Sequence, residues 1–165
     1  MSRHSMRLID ASPLFTSVSP LRSRMPAVGQ ARGALHVEID FNGASFSIIN
    51  THLGVTPQER RTQIAYLLSE PRFTNERAPL IVCGDFNASP KQYAYKQVAK
   101  RMNDVQLQNN GETVNKTFPS RYPTMRIDHM FVDKGVDVVN VFVPSNQMTK
   151  VASDHLPLIA DLRIR

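Results

Sequence analysis

The chain has 165 residues, 41% of them hydrophobic, with 20 Lys and Arg against 14 Asp and Glu for a net charge of +6. That length and apolar content are enough for one folded domain with a buried core, and they exclude a low-complexity or fibrous chain. The single cysteine excludes a disulfide framework within the chain and a cysteine-rich zinc site. The positive charge favours an anionic partner such as nucleic acid, a phosphorylated small molecule or lipid headgroups.

No apolar run approaches a membrane span, and Met1 to Arg7 lead into no hydrophobic secretion segment. The chain as given therefore reads as soluble, with a cytoplasmic setting favoured. Residues 1–31 form a loop-rich lead-in, because Ser12-Pro13, Ser19-Pro20 and Met25-Pro26 interrupt any long element. Leu8-Ile9 and Leu14-Phe15 are left for brief pairing with a sheet.

From Leu35 to Phe41 the sequence alternates, with Leu35, Val37, Ile39 and Phe41 on one face of a strand and His36, Glu38 and Asp40 on the other. On this pattern His36 faces solvent. Asn42-Gly43 is a strong hairpin signal, and Ser45 to Leu53 returns antiparallel, ending in the polar cluster Asn50-Thr51-His52. Thr56-Pro57-Gln58-Glu59 then opens a helix to about Ser69, with a capping residue, a proline at the first helical position and an acid in the first turn. Ile64, Ala65, Leu67 and Leu68 form its apolar side, and Arg60 and Arg61 line its wet side.

After a loop from Pro71 to Pro79, Leu80-Ile-Val-Cys83 reads as a buried strand stopping at Gly84, followed at once by Asp85 and Asn87. A carboxylate and a carboxamide at the carboxyl end of a buried strand suit a hard cation, or a phosphate bound through one. Pro90 suits the first turn of a second helix, Lys91 to about Arg101, with Ser89 as its cap. Its Tyr93 and Tyr95 read as packing residues. Asn109-Asn110-Gly111 is a turn, and Thr117 to Pro123 is a basic and aromatic loop. Arg126 to Val132 reads as a strand with Asp128 and Met130 on one face and Ile127, His129 and Phe131 on the other. Val136 to Val143 is a further strand. After a polar loop, Asp154-His155 leads into a terminal strand, Leu156 to Leu162.

His52 in Asn-Thr-His-Leu, Asp85 and Asn87 in Gly-Asp-Phe-Asn, Asp128 in Arg-Ile-Asp-His, and Asp154-His155 in Ser-Asp-His-Leu-Pro resemble, in order and spacing, the endonuclease/exonuclease/phosphatase superfamily with the deoxyribonuclease I fold. The resemblance runs from about Arg32 to Leu162 and is strongest to its bacterial metal-dependent hydrolases. It implies an α/β (α+β) fold, part of a four-layer α/β/β/α sandwich with mixed, largely antiparallel sheets. It also implies a metal-dependent hydrolase of phosphate esters, with phosphodiesterase activity on a nuclease-like or headgroup-like substrate as the leading expectation. The implied catalytic set is His52, Asp85, Asn87, Asp128, Asp154 and His155. In it His155 activates water, Asp128 orients a histidine or contacts the ion, and His52 stabilises the phosphate. Arg32 approaches a substrate phosphate, while Asp154, Asp85 and Asn87 hold Mg²⁺ or Mn²⁺.

The family pattern also has an asparagine and a metal-binding glutamate upstream of these blocks, whereas the first Glu here is Glu38 in the hairpin strand. On the resemblance, residues 1–165 are expected to be one partial domain, the carboxyl-terminal half to two-thirds of the fold. An inactive fragment or basic binding module of the same fold is the alternative to an enzyme. A sheet face open for lack of its upstream cover would be expected to pair copies of the chain into a homo-oligomer.

Overall fold

The computed structural model describes residues 5–14, 32–41, 43–73, 78–108 and 114–165. Its elements run β1 (Ser5–Leu14), β2 (Arg32–Phe41), β3 (Ala44–His52), α1 (Pro57–Ser69), β4 (Leu80–Asp85), α2 (Tyr93–Ala99), β5 (Asn103–Asp104), α3 (Val105–Gln108), β6 (Asp128–Val132), β7 (Val136–Phe142), α4 (Gln147–Ala152) and β8 (Ile159–Ile164). Six strands form one sheet in the order β1-β2-β3-β4-β6-β5, and β7 and β8 form a second. β3 and β4 are parallel and every other pair is antiparallel.

Side-chain alternation sends each central strand into two cores. On one face Ile49, Val82 and Phe131 pack with Ile64 and Leu67 of α1 and Ala94, Tyr95 and Val98 of α2. On the other, Ile81 and Val132, with Ile48 and Met130, meet Val136 and Val141 of β7 and Ala160 and Leu162 of β8. The described residues thus form three layers, namely helices, the six-stranded sheet and the two-stranded sheet.

Helix α1 begins as its sequence dictates. Thr56 accepts from the Glu59 amide, the Glu59 carboxylate accepts from the Thr56 amide, and Pro57 occupies the first turn. Gly84 is required where it stands, because its φ is +136° and a Cβ there would lie 1.8 Å from the Thr51 carbonyl oxygen on β3.

Several expectations change. β1 is a ten-residue strand rather than two brief contacts, and it tolerates Pro13 because it lies at the sheet edge. His36 is buried, not solvent-facing: it pairs with Ile49, so it shares the helix-covered face of the sheet. Arg60 leaves the wet side of α1 and is buried, its guanidinium donating to the Gly54 and Val55 carbonyls at 3.3 and 2.6 Å. α2 starts at Tyr93 with Gln92 at its cap, so Ser89 and Pro90 lie in a turn ahead of it. The segment expected as polar loop holds α4, which buries no side chain and is closed by a reciprocal Asn146–Thr149 cap. The terminal strand runs from Ile159 to Ile164, starting three residues later than expected. Asn42 and the expected turn at 109–111 lie outside the described residues.

Candidate active site

Three strand ends supply one row of side chains. His52 closes β3, Asp85 closes β4 and Asp128 opens β6, and the ladder sets His52 opposite Asp85 and Asp85 opposite Asp128. By alternation all three share the face of Ile48, Ile81 and Val132, toward the second sheet. His155 enters from the segment between α4 and β8. Its Nδ1 lies 2.8 Å from Asp128 Oδ2 and its Nε2 4.0 Å from Asp85 Oδ2. The Phe118 ring sits over it at 4.7 Å, while Ser120 donates its amide to the Asp154 carbonyl and Leu156 its amide to Thr117. The Thr117–Ser120 loop therefore holds the Asp154-His155 segment from above.

The Asp128 carboxylate accepts from Nδ1 of His155, which leaves Nε2 of the neutral ring as the basic atom. Burial alone would lower the His155 pKa, but the hydrogen bond and charge of Asp128, helped by Asp85 and Asp154, reverse this and raise it above the ordinary value. His52 behaves in the opposite way. Its Nε2 lies 3.2 Å from Asp85 Oδ2, and Arg32 Nη1 lies 2.9 Å from both ring nitrogens. The His52 ring therefore stands between a guanidinium and a carboxylate. Burial lowers the His52 pKa, and Arg32 and His155 lower it further against the pull of Asp85. Asp85 itself is raised, by burial first and by the charge of Asp128, with the Asn87 amide opposing.

Asn87 is a non-glycine residue with positive φ, +46°. An Asx turn, Asn87 N to Asp85 Oδ1 at 2.7 Å, and a bond from Asn87 Nδ2 to the Leu53 carbonyl at 2.8 Å hold it there. Arg60 and Gln63 of α1 fix the neighbouring turn after His52, through the Gly54 and Val55 carbonyls and the Gly54 amide. Below the site, His129 is buried and its Nε2 lies 2.7 Å from the Ala88 carbonyl, so one strand presents Asp128 to the cleft and anchors the Asp85–Asn87 loop from behind. Burial drops the His129 pKa to about 4, so the ring is neutral and Nε2–H is the donor. A buried Asp104–Arg126 ion pair, joined by Tyr95 Oη at 2.7 Å, fixes the entry to β6. Of these supports Arg126 and His129 lie within the Arg-Ile-Asp-His block, but the sequence reading gives them no supporting role, and nothing in the sequence marks Gln63 or Asp104.

The cleft over the row has a volume of about 590 Å³ and is walled by His52, Asp85, Asp128 and His155 with Thr149 and Ala152 of α4. Cys83 also lines it, but burial pushes its thiol up to about 11, so it is no nucleophile at neutral pH. Atoms of Asp85, Asp128 and His155 that could bind a metal lie within 4.8 Å of one another. Asp154 stands apart from that cluster, exposed, with its carboxylate 3.4 Å from Ser153 Oγ. The expected residues thus fall into a compact group of His52, Asp85, Asn87, Asp128 and His155, with Arg32 against His52 and Asp154 at the rim.

Two carboxylates and two histidines meet at the strand ends of a mixed sheet, backed by helices on one side and a second sheet on the other, in an α/β fold. The chain belongs to the Endonuclease/Exonuclease/phosphatase family, which residues 4–155 match. It is 25% identical over 138 residues to the uncharacterized protein YbhP of Escherichia coli K12, covering 82% of this chain and 54% of that protein. The chain thus spans about half the length of that relative. Among solved structures it is similar to a functionally unknown conserved protein from Enterococcus faecalis V583, with TM-score 0.76, 23% identity, and 97% of this chain against 68% of the other covered. The human Nocturnin catalytic domain, solved with a bound sulfate anion, has TM-score 0.71, 23% identity and coverage of 97% and 60%. The mannosyl-6-phosphatase Bt3783 of Bacteroides thetaiotaomicron has TM-score 0.72, 19% identity and coverage of 96% and 67%.

Proposed function

We propose that this site hydrolyses a phosphate ester, most simply a phosphodiester, by direct attack of water. The observation that carries the reading is the Asp128 Oδ2–His155 Nδ1 bond at 2.8 Å, which aims a bare Nε2 into the cleft 4.0 Å from Asp85. His155 takes the proton of the attacking water, held in the right tautomer and made more basic by Asp128. Asp85 and the Asn87 amide, fixed by their Asx turn, position water and phosphate. His52 gives a ring N–H to a phosphoryl oxygen, and Arg32 follows with its guanidinium. A neutral imidazole and a guanidinium stabilise charge that grows on the phosphoryl oxygens in the transition state.

The donor set fits a hard divalent cation. Asp85 supplies a carboxylate oxygen, and the Asn87 amide oxygen has no hydrogen-bond partner among the described residues, while its nitrogen is committed to Leu53. Mg²⁺ or Mn²⁺ held by Asp85 and Asn87 would supply Lewis-acid polarisation of the phosphoryl group, and Asp154, at the rim, would have to move in to join them. Nocturnin's bound sulfate and the sugar-phosphatase activity named for Bt3783 support an oxyanion as the cleft's ligand. The substrate is an anion drawn to a basic chain, a nucleic acid or a phosphorylated small molecule. No helix among the described residues is long and apolar enough to cross a membrane.

Hydrolysis of bis(p-nitrophenyl) phosphate with Mg²⁺ or Mn²⁺, compared between the native protein and His155→Ala, tests the reading. A loss of at least about a hundredfold in turnover is expected. Anion binding without turnover in the native protein would identify a binding module instead.

A further inference from the structure

A second concavity of about 490 Å³ lies beside the catalytic cleft, between the loop tip at Arg121-Tyr122 and helix α4. α4 is the common wall. Thr149 and Ala152, three residues apart and so on one helical face, line the cleft, while Lys150 and Val151 line the second pocket. The opposite wall is braced: Thr124 and Met125 donate their amides to the Phe118 carbonyl at 2.9 and 2.8 Å, and Ser120 Oγ donates to the Lys150 carbonyl at 3.2 Å. The loop that carries Arg121 and Tyr122 is therefore tied both to α4 and, through Phe118 and Ser120, to the His155 segment.

Among the described residues two cations face this pocket and no acid lines it. Among the described residues, neither the Arg121 nor the Lys150 side chain has a hydrogen bond or ion pair. The Tyr122 ring is 81% exposed and stacks on nothing. Asn146, also in this wall, is committed to capping α4 through Thr149. An isolated surface cation is ordinarily just solvated. Here a guanidinium and an ammonium converge on one braced concavity that shares a wall with a phosphate-ester cleft, and a bare aromatic face stands beside them. That combination suits a phosphate joined to a ring or sugar that packs on Tyr122.

We propose that the Arg121–Lys150 pocket is a second phosphate site, which holds a phosphate other than the one hydrolysed, so that the preferred substrates are small esters carrying two phosphates. The inference rests on the reading of the neighbouring cleft as a hydrolase site, and it adds a selectivity that the cleft alone does not supply. Arg121 and Lys150 make charge-assisted contacts to the second phosphate, and Tyr122 covers the group that links it to the first.

Calorimetric titration of the native protein with thymidine 3′,5′-bisphosphate and with thymidine 5′-monophosphate tests this directly. The bisphosphate is expected to bind about tenfold more tightly, and that ratio should fall to about one in Arg121→Gln/Lys150→Gln with its circular dichroism spectrum unchanged. Equal affinities in the native protein, or a ratio that survives the double substitution, would overturn the proposal. Hydrolysis of bis(p-nitrophenyl) phosphate, run in parallel, separates the two readings. Turnover with equal nucleotide affinities refutes the second site alone. A bisphosphate preference lost in the double variant, without any turnover, supports the second site and refutes the hydrolase reading alone.

Discussion

Gly84→Ala should be among the most damaging single-methyl changes in the protein. Gly84 sits one residue before Asp85 on β4, paired with Thr51 on the parallel strand β3, at φ +136°. An added Cβ would fall 1.8 Å from the Thr51 carbonyl oxygen and 2.9 Å from its carbonyl carbon, and both contacts are backbone, so no side chain can swing away. Relief requires β3 and β4 to part by more than about 1 Å, against a normal interstrand spacing of about 4.8 Å. The left-handed backbone adds about 1 kcal/mol for any residue with a Cβ. Two weakened ladder bonds cost about 1 kcal/mol each, and strain in a closely packed strand pair adds about 1–3 kcal/mol. The sum, about 4 kcal/mol or more, is a large fraction of a domain's usual stability of about 5–15 kcal/mol. Urea unfolding followed by far-ultraviolet circular dichroism reads this without tryptophan, which the chain lacks. The same displacement would pull His52 from Asp85, so activity should fall further than the folded fraction. A loss of stability under about 1 kcal/mol would refute the close packing of these strands and the site geometry built on it.

If His155 is the base, activity should rise with pH through a midpoint above the ordinary histidine value of about 6.5, and Asp128→Asn should move that midpoint down while lowering kcat about a hundredfold or more. The same raised pKa makes the His155 contribution to stability fully present below its unfolded value and lost as pH rises through the folded one, which thermal melts across that window would follow. Chelation by EDTA should abolish turnover and Mg²⁺ or Mn²⁺ restore it; the few donors here imply weak binding, so submicromolar Mg²⁺ affinity by calorimetry would show that the ligands are misassigned. β7 and β8 expose Val139, Phe142 and Ile159 and pair only with each other among the described residues, so light scattering is expected to find a dimer or larger assembly of this chain, and a stable monomer would remove that expectation.

The site was legible through its motifs more than through its pattern. His52 and Asp85 each stand where an apolar run stops, but singly they read as ordinary strand-end polar residues. The resemblance of the blocks in order and spacing joined them to Asn87, Asp128, Asp154 and His155. Burial was harder to read. His36 looked solvent-facing because alternation separates two faces without saying which is covered, and at β2 the covered one is its own: Ile49 beside it lies in the helix-covered core, while Leu35 and Phe41 on the other face stay exposed. Arg60 occupies a polar position by helical period, yet the turn after His52 left two carbonyls that only a long donor could reach. α4 is only six residues long and buries nothing, its Met148 and Val151 staying exposed, so its apolar spacing was too short to mark it; a reciprocal cap of side chains holds it. The Asp104–Arg126 pair joins residues 22 apart in sequence across β5 and β6, a contact that neither local propensity nor pattern encodes.

Two imidazoles flank the one Asp85 carboxylate, and their surroundings push them apart. On one side burial and the guanidinium of Arg32 outweigh Asp85 and keep His52 neutral, with one ring N–H available as a donor. On the other, Asp128 overcomes burial and makes His155 the better proton acceptor. Hydrolysis of a phosphate ester asks for both behaviours within a few ångströms, a donor that does not give up its proton and an acceptor that takes one. Neither is a property of histidine itself. Each follows from what the neighbouring strand ends carry, Arg32 opening β2 and Asp128 opening β6, and both depend on β3, β4 and β6 ending in register. The ladder between β3 and β4 sets that register, and Gly84 allows the strands to approach beside the site, so the division of roles between the histidines depends in part on a residue without a side chain.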